Sequence, residues 1–439
     1  MNHKSKSKKL NESNADTLVP LLRFPAFREA EEWANVLLNE IAIPVLDRVV
    51  KGETYPVISF STEYGLVQQD ESFGNKASGE TLKRYFKVER DDFVFNEGAS
   101  TGTICGSIKR LSKFSDGMVS PVYKCFRFNS NEVPAFWEYY FESQLFRVQL
   151  SSLIDKDLRG GRFNLSIRRL LSARLWRPCV AEQKVIAGFF TDLDKLLSAQ
   201  VRKISVLRTE RKGLMLQLFP SEGEGRPPLR FPRFRDDGGW KDYLFGDILR
   251  ITVGREFKSS EHSSAGVRLL QSKSLAARKV QWSESAVYLP VNYEREYPEL
   301  IVRGGDVVLA LSNPLINGEL RLARVERDQA VSILNQRVGR LEIVSDLVCM
   351  DFVFQYCQKV IRDFYVKDVA GKGYSLISLK SLYSQRIYLP TLPEQTYISQ
   401  CISSLDNLIA MHTKKLEKLN MHKEALMQKL FPRLDEVDA

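Results

Sequence analysis

The sequence predicts an α+β fold in which two mixed α/β domains alternate with two long helices. The helices pair as a coiled coil, and an internal pseudo-twofold duplication relates the two halves. Three observations predict this. Two sets of residues recur at fixed offsets, each copy ends in a heptad seam, and the segments between the copies read as short strands mixed with helix.

The duplication comes first. Leu22-Arg23-Phe24-Pro25-Ala26-Phe27-Arg28, followed by Trp33, recurs 207 positions on as Leu229-Arg230-Phe231-Pro232-Arg233-Phe234-Arg235, followed by Trp240. Leu37 and Ile41 match Leu244 and Ile248 at the same offset. A second set recurs 212 positions on: Ser166, Leu170, Ser172, Arg174, Pro178, Glu182 and Gln183 return as Ser378, Leu382, Ser384, Arg386, Pro390, Glu394 and Gln395. It continues through Asp194 and Asp406 to Leu218-Phe219-Pro220 and Leu430-Phe431-Pro432. An ungapped match from Ser166 to Pro220 is a tandem duplication. Between the repeats, roughly 43–160 and 250–372 share only weak echoes, such as Asp92-Phe93-Val94 against Asp306-Val307-Val308. One frame therefore carries two different inserts. The expected organisation is a disordered basic arm at 1–20, a domain at 21–178, a long helix at 179–220, a second domain at 221–390, a second long helix at 391–432 and a tail at 433–439.

The helices follow from spacing. Between Pro178 and Pro220 there is no proline, and apolar residues recur at alternating steps of three and four. The first seam reads Phe190, Leu193, Leu197, Gln200, Ile204, Leu207, Arg211, Leu214, Leu218. Its copy reads Ile402, Leu405, Ile409, His412, Leu416, Leu419, Lys423, Leu426, Leu430. Both break the apolar pattern at matched places, Gln200 with His412 and Arg211 with Lys423. Polar seam residues cost stability but specify register and partner, and the natural partner of one seam is the other. Such helices exceed one turn of B-DNA in length, at ~1.5 Å per residue against ~34–36 Å.

The domains are mixed. Tyr55 to Phe60, Phe93 to Phe95 and Val122 to Phe128 read as strands, and Val133 to Leu150 as an aromatic-rich helix. In the second domain, Val307 to Leu311, Leu320 to Val325 and Arg340 to Val344 read as strands, with a helix from Ser345 to Lys359. Basic residues gather near turns. Lys83, Arg84, Lys109, Arg110 and Lys113 precede Arg159-Gly160-Gly161-Arg162 in the first domain. The second holds Arg268, Lys273, Arg278, Lys279, Arg321, Arg324, Arg337 and Arg340, with Gly371-Lys372-Gly373 in the place of Arg159-Gly160-Gly161. A glycine-containing basic loop brings backbone close to phosphate, and arginine pairs bidentately with guanine edges.

Composition narrows the class. The 439 residues carry a formal charge of +10, which suits a polyanionic partner. Six scattered cysteines with no Cys-x-x-Cys pair read as reduced thiols of a cytoplasm, and four unclustered histidines leave no zinc pattern. No apolar run approaches the ~20 residues of a membrane span, and the polar N-terminus is not a signal peptide. Catalytic motifs are also missing. Gly371-Lys372-Gly373-Tyr374-Ser375 lacks the spacing of a phosphate-binding loop. Ser312-Asn313-Pro314-Leu315 lacks the second proline and the aromatic of an amino-methyltransferase. There is no nucleophile elbow or His-Glu-x-x-His pair. The expected sites are therefore catalytic none and metal none.

These residues together resemble a family. Leu-Arg-Phe-Pro-x-Phe followed by Trp is similar to the opening of the specificity subunits of type I restriction-modification enzymes. So are the segments from Ser166 to Glu182-Gln183 and from Leu376 to Glu394-Gln395, and the helix ends at Leu218-Phe219-Pro220 and Leu430-Phe431-Pro432. Asp92-Phe93-Val94-Phe95-Asn96 and Gly117 to Tyr123 look like that family's target recognition domains. The Pro178-Cys179-Val180-Ala181 segment departs from the usual pattern. The resemblance implies a non-catalytic prokaryotic subunit that reads a bipartite double-stranded DNA target, one half per domain. Its paired helices would fix the unread spacer and dock two methyltransferase subunits. S-adenosylmethionine would sit on those subunits, and ATP and magnesium on a restriction subunit. The competing classes are a stand-alone nuclease or methyltransferase and a coiled-coil adaptor.

Overall fold

The computed structural model describes residues 17–50, 52–61, 65–69, 82–97, 106–153, 165–221, 223–369 and 376–432. They fall into two compact units, Met1–Val201 with Lys414–Ala439, and Arg202–Thr413. Each unit combines one inserted domain with segments of both long helices.

In the first unit, strands run in the order Ala42–Pro44, Lys124–Phe128, Phe93–Asn96, Ser107–Arg110, all antiparallel. Phe93, Val94 and Phe95 are all fully buried because this strand lies between two cores. Phe93 and Phe95 face an aromatic core with Phe126, Phe128, Trp137 and Phe141, while Val94 joins Val88, Val119 and Cys125. Two-sided burial accounts for an unbroken apolar run where a one-sided strand would alternate.

The second unit repeats the device. Its sheet runs Leu249–Val253, Val338–Ile343, Val307–Ala310, Leu322–Arg324, Arg278–Lys279, antiparallel except for the last pair. Val307 and Leu309 face one core, Val308 and Ala310 the other. The weak echo between the inserts is a shared turn before this strand. Asp92 accepts from Glu89 N at 2.7 Å, and Asp306 from Arg303 N at 2.8 Å. Asp91 and Gly305 occupy the left-handed position, at φ 72° and 97°.

Within each unit the two repeat sets meet in a smaller sheet of its own. Trp33–Leu37 pairs with Arg174–Arg177, and Lys241–Leu244 with Arg386–Leu389. The long helices span Val180–Leu218 and Leu392–Leu430, 39 residues each. Where each helix ends, its Leu-Phe pair enters a domain core. Leu218 and Phe219 pack with Trp240 and Phe352, and Leu430 and Phe431 with Trp33 and Phe136. Backbone bonds fasten both ends, Leu229 N to Gln217 O and Leu22 N to Lys429 O, each 2.9 Å.

Three expectations change. The disorder expected for 1–20 does not hold at its end, because Thr17–Leu18 pairs with Trp33 and Ala34 and Leu18 is buried; residues 1–16 lie outside the described residues. The single helix expected from Val133 to Leu150 is two, Pro134–Glu142 and Gln144–Leu153. Ser143 takes an extended conformation between them, and its hydroxyl caps Tyr140 O at 2.6 Å. The helix expected from Ser345 to Lys359 starts later and runs longer, Met350–Val369.

Candidate nucleic-acid interface

Among the expected DNA-binding residues, Arg159, Gly160, Gly161, Arg162, Gly371, Lys372 and Gly373 lie outside the described residues. Lys83, Arg84 and Lys113 are exposed on the first unit, and Lys273 on the second. The others are held within the fold. Lys109 pairs with Glu142 at 2.7 Å, and Arg110 bridges Glu138 and Asp91 at 2.8 and 2.7 Å. Burial works against the Arg110 charge, yet Glu138 and Asp91 hold its pKa above the ordinary value. Both residues lie on strand Ser107–Arg110, and Glu138 and Glu142 one turn apart on the facing helix. They fasten that helix to the sheet.

In the second unit, Arg268 lies over Trp282 at 5.1 Å. Arg324 pairs with Asp351 at 2.5 Å and lies over Phe354. Arg321 donates to the backbone carbonyls of Leu275, Asn313 and Ser272. Its pKa is lowered by burial. These arginines spend much of their donor capacity on the fold.

The long helices carry a matched pair of polar nodes. In the first unit, Asp194 accepts from Lys423 Nζ at 2.6 Å and from Tyr139 OH at 2.9 Å. In the second, Asp406 accepts from Arg211 Nε at 2.6 Å and from Gln355 Nε2 at 3.1 Å. Arg278 adds a further bond to Asp406. Each node joins the two long helices to a helix of the inserted domain. Arg278 is pushed down to about 10 by burial and by the nearby Arg211 charge, against the pull of Asp406. Its backbone has φ 73°, so the strand end is turned to aim the guanidinium inward.

Both seams have the same exposure pattern. Every seam residue from Phe190 to Leu218 and from Ile402 to Leu430 is buried or half-buried, with Gln200 and His412 buried at 6% and 8% exposure. Leu196, Val201, Val206, Leu408, Met411 and Met421 on the same helices are exposed.

Two further links explain why particular motif residues recur. Arg23 of the first Leu-Arg-Phe-Pro grips Glu182 through two bonds of 2.8 and 2.7 Å, and Arg230 grips Glu394 likewise. Gln183 accepts from Val133 N at 3.0 Å and donates to Pro178 O, and Gln395 accepts from Cys349 N at 3.2 Å and donates to Pro390 O. Sequence reading found all eight as repeated positions but assigned them no partners. Among the described residues no group of His, Cys, Asp and Glu could hold a metal ion, and no helix is long and apolar enough to cross a membrane.

Comparison with known proteins adds likenesses to a family. Residues 238–421 match the model of the type I restriction modification DNA specificity domain. The type I restriction enzyme MjaVIII specificity subunit of Methanocaldococcus jannaschii is 30% identical over 260 residues, 58% of this chain and 60% of that protein. The chain is thus similar to type I DNA specificity domains over residues 238–421 and to type I specificity subunits over a longer stretch. A second relative, the type I restriction enzyme EcoAI specificity subunit of Escherichia coli, is 28% identical over 191 residues, 44% of this chain and 31% of that protein. The matches thus span less than two thirds of these relatives' own lengths. The fold is similar to that of solved type I chains across nearly the whole chain. The type I S subunit from M. genitalium superposes with a TM-score of 0.56 at 15% identity, covering 95% of this chain and 100% of that one. A chain from a study of complex assembly in the type I R-M system gives a TM-score of 0.54 at 15% identity, covering 91% and 97%.

Proposed function

We propose that this chain is the DNA-reading subunit of a type I restriction-modification complex, with each inserted domain reading one half of a bipartite duplex target. One observation carries the reading: both units keep the same frame of Arg–Glu grip, Gln tie and Asp–cation node, while their inserts differ. A shared frame with different inserts is what two readers of different half-sites require.

The two seams form an antiparallel coiled coil that sets the unread gap. Support comes from the node pairs, which join Asp194 to Lys423 and Arg211 to Asp406. Continuing that pairing along both seams sets Gln200 opposite Leu416 and Ile204 opposite His412. The exposed Leu196, Val201, Val206, Leu408 and Met411 give two methyltransferase subunits an apolar surface. The chain itself supplies recognition and no chemistry. S-adenosylmethionine belongs to the methyltransferase subunits, and ATP and magnesium to a restriction subunit, all in a prokaryotic cytoplasm.

The test is to co-express the chain with its methyltransferase partner and map methylated adenines on host DNA. A two-part motif with a fixed gap, lost when this chain is deleted, is the expected result. Methylation independent of the chain would overturn the reading. Inserting one heptad into each seam between Gln200 and Ile204 and between His412 and Leu416 tests the ruler. The gap should lengthen by ~10 Å, roughly three base pairs. An unchanged gap would refute the helices as its determinant.

A further inference from the structure

Strands Val267–Leu270 and Ser332–Leu334 pair in parallel, so the loops that leave their C-terminal ends lie side by side. These loops, 271–274 and 335–337, are tied together. Ser272 Oγ donates to Arg337 O at 3.0 Å, and Asn335 N donates to Leu270 O at 3.1 Å. A third segment, Ser312–Asn313, is brought in by Leu311 N, which donates to Arg337 O at 2.9 Å.

Two further residues hold the three loops in place. Arg321 sends Nε to Leu275 O at 2.8 Å, Nη1 to Asn313 O at 3.4 Å and Nη2 to Ser272 O. One guanidinium thus spans two of the loops. Gly254 lies under the 335–337 loop, where a Cβ would stand 2.3 Å from Leu334 O and 2.4 Å from Asn335 O. Only glycine allows that approach. The same loop is clamped again by Gln336 N to Arg255 O and Val338 N to Asn335 O, both 2.9 Å.

The backbone of this edge is fixed, while the side chains of Lys273, Asn313, Gln336 and Arg337 are exposed. The three segments contain no carboxylate. Their side chains match the donor and acceptor code of base edges: arginine or lysine for guanine, asparagine or glutamine for adenine. Arg324 and Arg340, by contrast, are paired with Asp351 and Glu342.

We propose that these loops are the base-reading edge of the second unit. Gln336 and Arg337, flanked by Lys273 and Asn313, contact base pairs of one half-site in duplex DNA, and Arg321 is a positioning residue that keeps the loops in register. This assignment rests on the DNA-reading function proposed above.

The experiment uses the full chain in complex with its methyltransferase. Binding is measured on the mapped target duplex, on each single base-pair substitution in both halves, and on a random duplex. The double variant Q336A/R337A is expected to lose discrimination by about 10- to 100-fold at one or two adjacent pairs of one half-site. The other half-site keeps its profile. Arg321→Lys keeps the charge but removes the fork, so it flattens the same positions while affinity for the random duplex holds. A wild-type profile in Q336A/R337A, or equal loss across both halves, overturns the assignment. Failure of the wild-type complex to discriminate any duplex is a different result, and removes the DNA-reading function together with this edge.

Discussion

Replacing Phe219 with alanine should destabilise the second unit by about 3–5 kcal/mol, the usual cost of deleting a buried phenylalanine. Phe219 is fully buried, with the rings of Phe352 and Tyr356 at 5.8 and 5.2 Å. Trp240, which follows the second Leu-Arg-Phe-Pro segment, stands 6.1 Å from Phe352. The residue sits where the first long helix ends, so the truncation opens a cavity and also loosens the helix terminus in its core. Calorimetry provides the measurement. The melting transition of the second unit should fall by roughly 6–20 °C, at ~2–4 °C per kcal/mol for a unit of this size. The first unit's transition should stay in place, because its aromatic plug is Phe431, packed against Trp33 and Phe136. A change below about 1 kcal/mol would show that the site collapses around the missing ring.

The second large effect is expected at the Arg–Glu grip. Glu394→Ala leaves the Arg230 guanidinium with 12% of its side chain exposed and its carboxylate gone. Removing one member of a buried pair costs about 3–5 kcal/mol, because a desolvated charge remains. Arg230 has its pKa raised chiefly by the hydrogen bond to Glu394, against the cost of burial, so the carboxylate is what keeps that charge tolerable. Replacing both residues with methionine should recover most of the loss, since the isolated charge is then gone. Urea unfolding of the single and double variants checks this. A double variant no better than Glu394→Ala would locate the cost in the lost geometry of the helix start instead.

Sequence reading reached those elements whose cause is local. Phe93-Val94-Phe95 and Val307-Val308 were legible as strands because unbroken β-branched and aromatic runs have few alternatives. The long helices were legible because proline is absent between Pro178 and Pro220 and the spacing persists. The break at Ser143 was not legible: its sequence continues a helix, and a hydroxyl bonding back to Tyr140 O ends it. Arg23 and Glu182 were visible as repeated residues, but they lie 159 positions apart and nothing in either segment points to the other. The environment of each cation was hidden for the same reason. Arg110 and Lys83 are both basic residues of the first domain in the sequence, yet packing sets one between Asp91 and Glu138 and leaves the other exposed. Arg321 reads as a DNA-binding cation in the sequence, and only the fold shows its donors turned to Leu275, Asn313 and Ser272.

The seating of Leu430 and Phe431 in the core around Trp33 has a consequence for biosynthesis. Domains generally fold as they emerge, the N-terminal one first. Here the earlier unit must wait. Its core stays open, with Trp33 and Phe136 lacking their plug, until translation has passed Phe431, whereas the later unit has Phe219 available before its own domain is made. A premature stop in the last helix beyond Thr413 would therefore injure the half of the protein that was synthesised first.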